Sequence, residues 1–266
     1  DYKQRKDQMR WVQRITQAFA DSRFILYAQK IVPLQDDNCE HYEILMRMLD
    51  DDGEIIIPQE YIIAAERYGS MKDIDRWVIG HALDWLSRES VNNHRPPKVS
   101  INLSAQSIGN QDILNFILQQ LDETGVAPQQ LCFEITETAA ISNMERAVEF
   151  ISKLREMGCV FALDDFGAGL SSFGYLKSLP IDYLKIDGSF VKDIETDPVD
   201  SAMVSSIQQL GKAIGIKTIA EFVENEQVYE RVRSLGVDYV QGFYLGKPQQ
   251  SIEETCTLDA ADASVA

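Results

Sequence analysis

Histidine is nearly missing from this 266-residue chain: His41, His81 and His94 are the only three. None stands at metal-ligand spacing from another, which removes most zinc chemistry and any scheme that needs paired imidazoles. Cysteine is scarce as well. Cys39, Cys132, Cys159 and Cys256 are scattered without a C-x-x-C pair, so reduced thiols in a reducing compartment are expected, not a zinc knuckle or a disulfide frame. Cations are outnumbered, with 25 Lys and Arg against 42 Asp and Glu and a formal charge of −17. A surface for a DNA or RNA polymer needs clustered basic residues and is excluded. No apolar run reaches the length of a membrane span, so no membrane contact is expected from this segment. The chain opens at Asp1 without a Met. It reads as a domain cut from a longer polypeptide, expected in the cytoplasm either free or as the cytoplasmic part of a membrane-anchored protein.

What is present suits a globular α/β protein. Hydrophobic residues make up 45% of the chain, and a single α/β barrel commonly takes this length. The reading turns on residues 158–187, GCVFALDDFGAGLSSFGYLKSLPIDYLKID. Residues 159–163 form an apolar run, as in a strand buried on both faces, and it ends at Asp164 and Asp165. Gly167 and Gly169 follow, and a second run, 181–186, carries Lys185 and closes on Asp187. An N-cap role accounts for one aspartate but poorly for two adjacent ones.

The chain in order gives a helix over 2–20, read either as packing on its own domain or as a connector to an upstream regulatory domain. Strands are expected over 24–32 and 41–48, on the second of which Glu43 and Arg47 share a face. Pro58 begins a helix and 73–86 forms another. A rhythm then sets in: strands over 98–103, 131–135, 159–163, 181–186, 217–220 and 239–240, with helices over 112–121, 144–157, 199–214 and 226–235 between them. Alternation of this kind implies a parallel sheet with right-handed crossovers. Polar residues at nearly every strand end favour a (β/α)₈ barrel over an open doubly wound sheet. Residues 1–20 are expected to form the connector helix, 21–250 the barrel, and 251–266 a flexible tail.

Glu43, Asn102, Glu134, Asp164, Asp165 and Glu221 would place five carboxylates and one amide around one mouth. Without cations they repel or stay partly protonated. An all-oxygen set favours Mg²⁺ or Mn²⁺, and a pair of such ions suits phosphodiester hydrolysis. Lys185 is placed to orient a nucleophilic water or to meet phosphate charge, and Arg47 to take a phosphate oxygen.

At these residues the chain resembles the EAL-domain cyclic-di-GMP phosphodiesterases. The matching pieces are Glu43-Ile44-Leu45-x-Arg47, Asn102-Leu103-Ser104, Glu134-Ile135-Thr136-Glu137, Asp164-Asp165-Phe166-Gly167, Lys185-Ile186-Asp187, Glu221-x-x-Glu224 and Gln241-Gly242-Phe243, in that order. The resemblance implies a modified TIM barrel that hydrolyses cyclic di-GMP, a bacterial second messenger, to linear pGpG with two Mg²⁺ or Mn²⁺ ions. It implies metal ligation by Glu43, Asn102, Glu134 and Asp164 at one ion and by Asp164, Asp165 and Glu221 at the other. Lys185 would meet the attacking water with support from Asp187, and Gln29, Arg47, Asp187 and Gln241 would contact substrate or its waters. Glu137 and Glu224 would steady the loop 165–172, which the family uses in dimerisation, so a homodimer is expected. Two positions depart from the pattern: Ile44 replaces the name-giving alanine and Lys30 replaces a proline. A non-catalytic cyclic-di-GMP receptor of the same fold is the alternative, although such receptors lose ligands that are retained here. An enolase-type barrel is a more distant one, and the adjacent aspartates speak against it.

Overall fold

The computed structural model describes residues 2–35, 39–92, 96–169 and 173–250. The expected tail 251–266, Cys256, His94 and positions 170–172 of the loop lie outside the described residues. Helix α1 (Tyr2–Ala20) leads into β1 (Phe24–Pro33), β2 (His41–Leu49) and the short β3 (Ile55–Ile56), followed by α2 (Pro58–Tyr68) and α3 (Met71–Asn92). Then come β4 (Lys98–Asn102), α4 (Gln111–Thr124), β5 (Leu131–Thr136), α5 (Glu137–Ser142), α6 (Met144–Met157) and β6 (Val160–Phe166). The chain continues through β7 (Tyr183–Ile186), α7 (Gly188–Lys192), α8 (Pro198–Ile214), β8 (Lys217–Ala220), α9 (Glu226–Ser234) and β9 (Tyr239–Val240).

The sheet runs β1-β9-β8-β7-β6-β5-β4-β2-β3, and pairing of β1 with β2 closes eight strands into a barrel. From β2 through β4 to β9 the barrel pairs are parallel. The strands of the alternating region are parallel as expected, whereas β1, which precedes that rhythm, runs antiparallel to both neighbours, β2 and β9. The cause is covalent. Only residues 34–40 separate β1 from β2, and a parallel crossover needs about a dozen residues or more. Helix starts follow cap chemistry. The side chains of Asn110, Asn143 and Asn225 each accept a backbone N–H from the first turn of α4, α6 and α9.

The core has two parts. Most apolar side chains pack between the barrel and its helices, including Ile15 and Ala18 of α1 and Ile44 of β2. Inside the barrel a smaller cluster holds Ile31, Cys132, Ala162, Tyr183, Ile219 and Tyr239. Side chains on one face of a strand recur every second residue. Moving two residues toward the mouth from these positions gives Gln29, Glu134, Asp164, Lys185, Glu221 and Gln241. Buried His41 and Ser100, joined by a 2.9 Å hydrogen bond, lead in the same way to Glu43 and Asn102. Each of the eight strands therefore aims one polar residue at a common centre, seated on an apolar floor.

Candidate active site

Lys185 sits at that centre. Its side chain is 1% exposed, and four carboxylate oxygens surround Nζ: Glu134 Oε2 at 2.6 Å, Glu221 Oε1 at 2.9 Å, Asp164 Oδ1 at 3.3 Å and Glu43 Oε2 at 3.5 Å. Burial works against the ammonium, but these carboxylates outweigh it and hold the lysine charged, well above its usual range. Glu43 is the best satisfied of the acids. Asn102 Nδ2 donates to Oε1 at 2.7 Å and Gln241 Nε2 to Oε2 at 2.6 Å. Burial opposes its charge, yet Lys185 and these donors keep its carboxyl below the ordinary value. Gln241 also donates to Gln29 Oε1 at 3.1 Å, and Gln29 in turn donates to the Gly246 carbonyl at 3.0 Å.

The other acids are left in charge excess. Burial, with Glu43 and Asp164 adding to it against the pull of Lys185, pushes Glu134 well up. Burial raises Glu221 to about 8, again against Lys185, with Asp164 and Glu43 adding. Asp165 is pushed up by burial and then by Asp164 and Asp187. Within the site, among the described residues, Glu134 Oε1 and Gln241 Oε1 are buried without a partner. Carboxylate oxygens of Asp164, Asp165 and Glu221 lie within 4.8 Å of one another. Orphaned oxygens, clustered carboxylates and raised acids all mark a place short of positive charge, and an oxygen-only donor set fits Mg²⁺ or Mn²⁺.

Strand β6 reaches further than expected. It does not end at the aspartate pair but carries both and runs to Phe166, with a bulge against β7 between Leu163 and Phe166. Asp165 takes φ 54° there, a left-handed conformation that non-glycine residues seldom adopt. The bulge lets consecutive aspartates face one site, which strict alternation forbids. The Asp165 N–H donates to Asp164 Oδ1 at 2.9 Å.

A cleft of about 420 Å³ opens beside this centre, lined by Gln29, Glu43, Arg47, Glu221, Glu224 and Gln241 together with Pro58, Gln59, Phe222 and Phe243. Arg47 lies with its guanidinium 5.5 Å from the Tyr27 ring and donates to the Met46 carbonyl. Phe222 and Phe243 are largely exposed at its edge.

A family model described as the EAL domain matches residues 12–248. The chain belongs to the EAL domain family. This EAL domain is 42% identical over 241 residues to cyclic di-GMP phosphodiesterase PdeB of Shewanella oneidensis, covering 90% of this chain and 28% of PdeB. It is 38% identical over 250 residues to cyclic di-GMP phosphodiesterase PdeF of Escherichia coli, covering 93% of this chain and 33% of PdeF. The EAL domain thus spans about a third of the length of the curated relatives it matches. Among solved structures it is similar to the PaMucR phosphodiesterase in complex with c-di-GMP, with a TM-score of 0.86 at 29% identity over 92% of this chain and 99% of that one. It is also similar to the FimX EAL domain of Pseudomonas aeruginosa bound to c-di-GMP, with a TM-score of 0.85 at 29% identity over 91% and 97%.

The remaining motif residues of the EAL domain divide in two. Glu137, buried at the start of α5, accepts from the Gly167 N–H at 3.2 Å and from the Tyr175 hydroxyl at 2.5 Å. Asp187 caps α7 by accepting from the Ser189 N–H at 2.9 Å, close enough to Asp165 to raise it. Glu224 is exposed at the cleft rim, and among the described residues no hydrogen bond joins it to the loop after β6. Ile44 is 2% exposed and packs into the outer core, on the opposite face from Glu43. Lys30 lies across from Tyr42 in the β1–β2 ladder. Three groups near the site carry no family motif quoted from the sequence: Tyr175, the Pro58–Gln59 wall, and Asp75 beneath Ser104. The signal for Asp75 was available, because it interrupts the apolar stripe of α3.

Proposed function

We propose that this EAL domain hydrolyses cyclic di-GMP to linear pGpG by attack of water on one phosphodiester. The observation that carries the reading is Lys185 enclosed by four carboxylates with Glu134 Oε1 still unpartnered. The relatives named as cyclic di-GMP phosphodiesterases and the c-di-GMP-bound structures support the choice of substrate. Glu43, Asn102, Glu134 and Asp164 would hold one Mg²⁺ or Mn²⁺, and Asp164, Asp165 and Glu221 a second. Bound there, the ions would offset the acid excess, polarise the phosphodiester and make water acidic enough to yield a nucleophile near neutral pH.

The protein's own groups do the rest. Lys185, held charged and immobile, stabilises negative charge where the attack occurs. Arg47 meets a phosphate oxygen from the cleft wall. Gln241 and Gln29 form a hydrogen-bonded pair that fixes the side of the cleft next to Glu43. Asp187, at the start of α7, would support Lys185. Glu137 holds the backbone after Asp165 through Gly167.

The purified domain incubated with cyclic di-GMP and Mg²⁺, with products resolved by chromatography, tests the reading. Accumulation of pGpG that stops in Glu43→Ala supports it. Tight binding with no product makes the domain a cyclic-di-GMP receptor instead. The length of the relatives supports reading the domain as one module of a larger protein that carries a regulatory or sensory part. A homodimer through the loop after β6 and a cytoplasmic location complete the proposal. Among the described residues no helix is long and apolar enough to cross a membrane.

A further inference from the structure

Helix α3 carries a carboxylate where its apolar stripe should continue. Asp75 lies one turn from Met71 and one turn from Ile79, and all three are buried. Burial pushes its carboxyl up, and the groups that pull it back are Ser104 and Ser107, neither of them charged. Three donors converge on Oδ2: the Ser104 N–H at 3.0 Å, the Ser104 hydroxyl at 2.6 Å and the Ser107 hydroxyl at 2.6 Å. Bonds to an ionised acceptor are short and strong. Burying the charge without a cation is nevertheless unfavourable, and an apolar residue would have completed the stripe.

The segment that Asp75 holds begins two residues beyond Asn102. Strand β4 ends at Asn102, and the Leu103 N–H bonds the Glu134 carbonyl at 2.8 Å. Ser104 then opens a turn in which its carbonyl accepts from the N–H groups of Ser107 and Ile108. Asn102 is thus tied on one side by the barrel ladder and on the other by the Asp75 clamp. Its amide points at Glu43, 2.7 Å away.

We propose that Asp75 is a positioning residue for the carboxylate site: by clamping the 104–107 turn it fixes Asn102 against Glu43 for a divalent cation. This rests on the reading that Glu43 and Asn102 hold such an ion. Asp75 acts through the backbone of Asn102 and touches neither substrate nor ion. A purely architectural role, tying α3 to the turn, would lower stability alone. Positioning also weakens the ion, and that effect vanishes once Asn102 is gone.

Mn²⁺ binding to the metal-stripped chain, followed by electron paramagnetic resonance and calorimetry beside thermal melts, separates the two. Asp75→Ala should weaken Mn²⁺ about tenfold, the range seen when partners of ligands are removed, and Asp75→Asn and Ser107→Ala should weaken it less. The double variant Asp75→Ala/Asn102→Ala should bind no more weakly than Asn102→Ala, because both changes act through one residue. Unchanged Mn²⁺ affinity with a lowered melting temperature, or losses that simply add, would overturn the proposal. If Asp75→Ala does not fold, Asp75→Asn and Ser107→Ala carry the same test. Wild-type protein that fails to bind Mn²⁺, or binds it equally after Glu43→Ala, brings down the cation-site reading and this proposal with it. That result is distinct from one in which Glu43→Ala weakens Mn²⁺ and the Asp75 and Ser107 variants do not.

Discussion

Lys185→Met tests the centre of the barrel most directly. Methionine keeps the length and apolar stem of lysine and removes only the ammonium. The four carboxylate oxygens now within 3.5 Å of Nζ would then face one another across a buried space. Deleting one partner of a buried ion pair costs about 3–5 kcal/mol. For a chain of this size each kcal/mol moves the melting temperature by about 2–4 °C, so the metal-free variant should melt about 6–20 °C lower at about pH 8. Protons offer the acids an escape. A carboxylate whose folded pKa is raised binds a proton that the unfolded chain does not, so stability rises as pH falls. The deficit should therefore shrink at about pH 5.5, and Mg²⁺ should recover part of it at the higher pH while hydrolysis stays lost. Thermal melts in chelator and in Mg²⁺ at both pH values measure this. A deficit of the same size at both pH values, or none at all, would refute the reasoning.

The wild-type domain, stripped of metal, should itself lose stability as pH rises through about 8, the folded value of Glu221. That contribution is complete below the unfolded carboxylate range, and Mn²⁺ should flatten the slope in melts across pH. Tyr175→Phe removes the hydroxyl bonded to Glu137, a bond to a charged group worth about 1.5–3 kcal/mol. Steady-state rates should show a higher Mg²⁺ requirement and a lower kcat, with substrate KM little changed. Gly242→Ala would place a Cβ 2.1 Å from the Val223 carbonyl oxygen, a backbone clash that should cost more than about 2 kcal/mol in a denaturant titration. Ca²⁺ should bind metal-stripped protein without supporting turnover, because its longer bonds and higher coordination spoil the spacing of the site; equal rates with Ca²⁺ and Mn²⁺ would contradict this.

Much of the site was legible because the chemistry recurs at strand ends, and the two-residue rhythm links each polar residue to an inward apolar one. Tyr183 before Lys185 and Tyr239 before Gln241 follow that rhythm. The direction of β1 was also within reach, since seven residues cannot form a parallel crossover. The bulge at Asp165 was not. An apolar run ending in two acids looks the same whether the strand stops or bends, and only the partner strand's register decides it. Asp75 can be seen to interrupt the apolar stripe of α3, but what it holds cannot. Its partners Ser104 and Ser107 lie about thirty residues away, and no local pattern joins a helix acid to a distant turn. Tyr175 is hidden from sequence in the same way, because its hydroxyl meets Glu137 across 38 positions.

The reversal of β1 has a consequence for where the chain meets the barrel. In a barrel of eight parallel strands the chain enters at the floor, as far as possible from the chemistry. Here Phe24 pairs with Met48 near the mouth, so α1 hands the chain to the barrel at the rim. Ile15 and Ala18 of α1 are buried in the outer core, where α1 lies along α2. The first residues of α2, Pro58 and Gln59, are a wall of the cleft. The entry of the chain and the opening of the cleft therefore share one end of the molecule. A displacement of α1 would have a single helix to cross before it reached the wall of the opening beside Arg47, with no need to travel the length of the barrel.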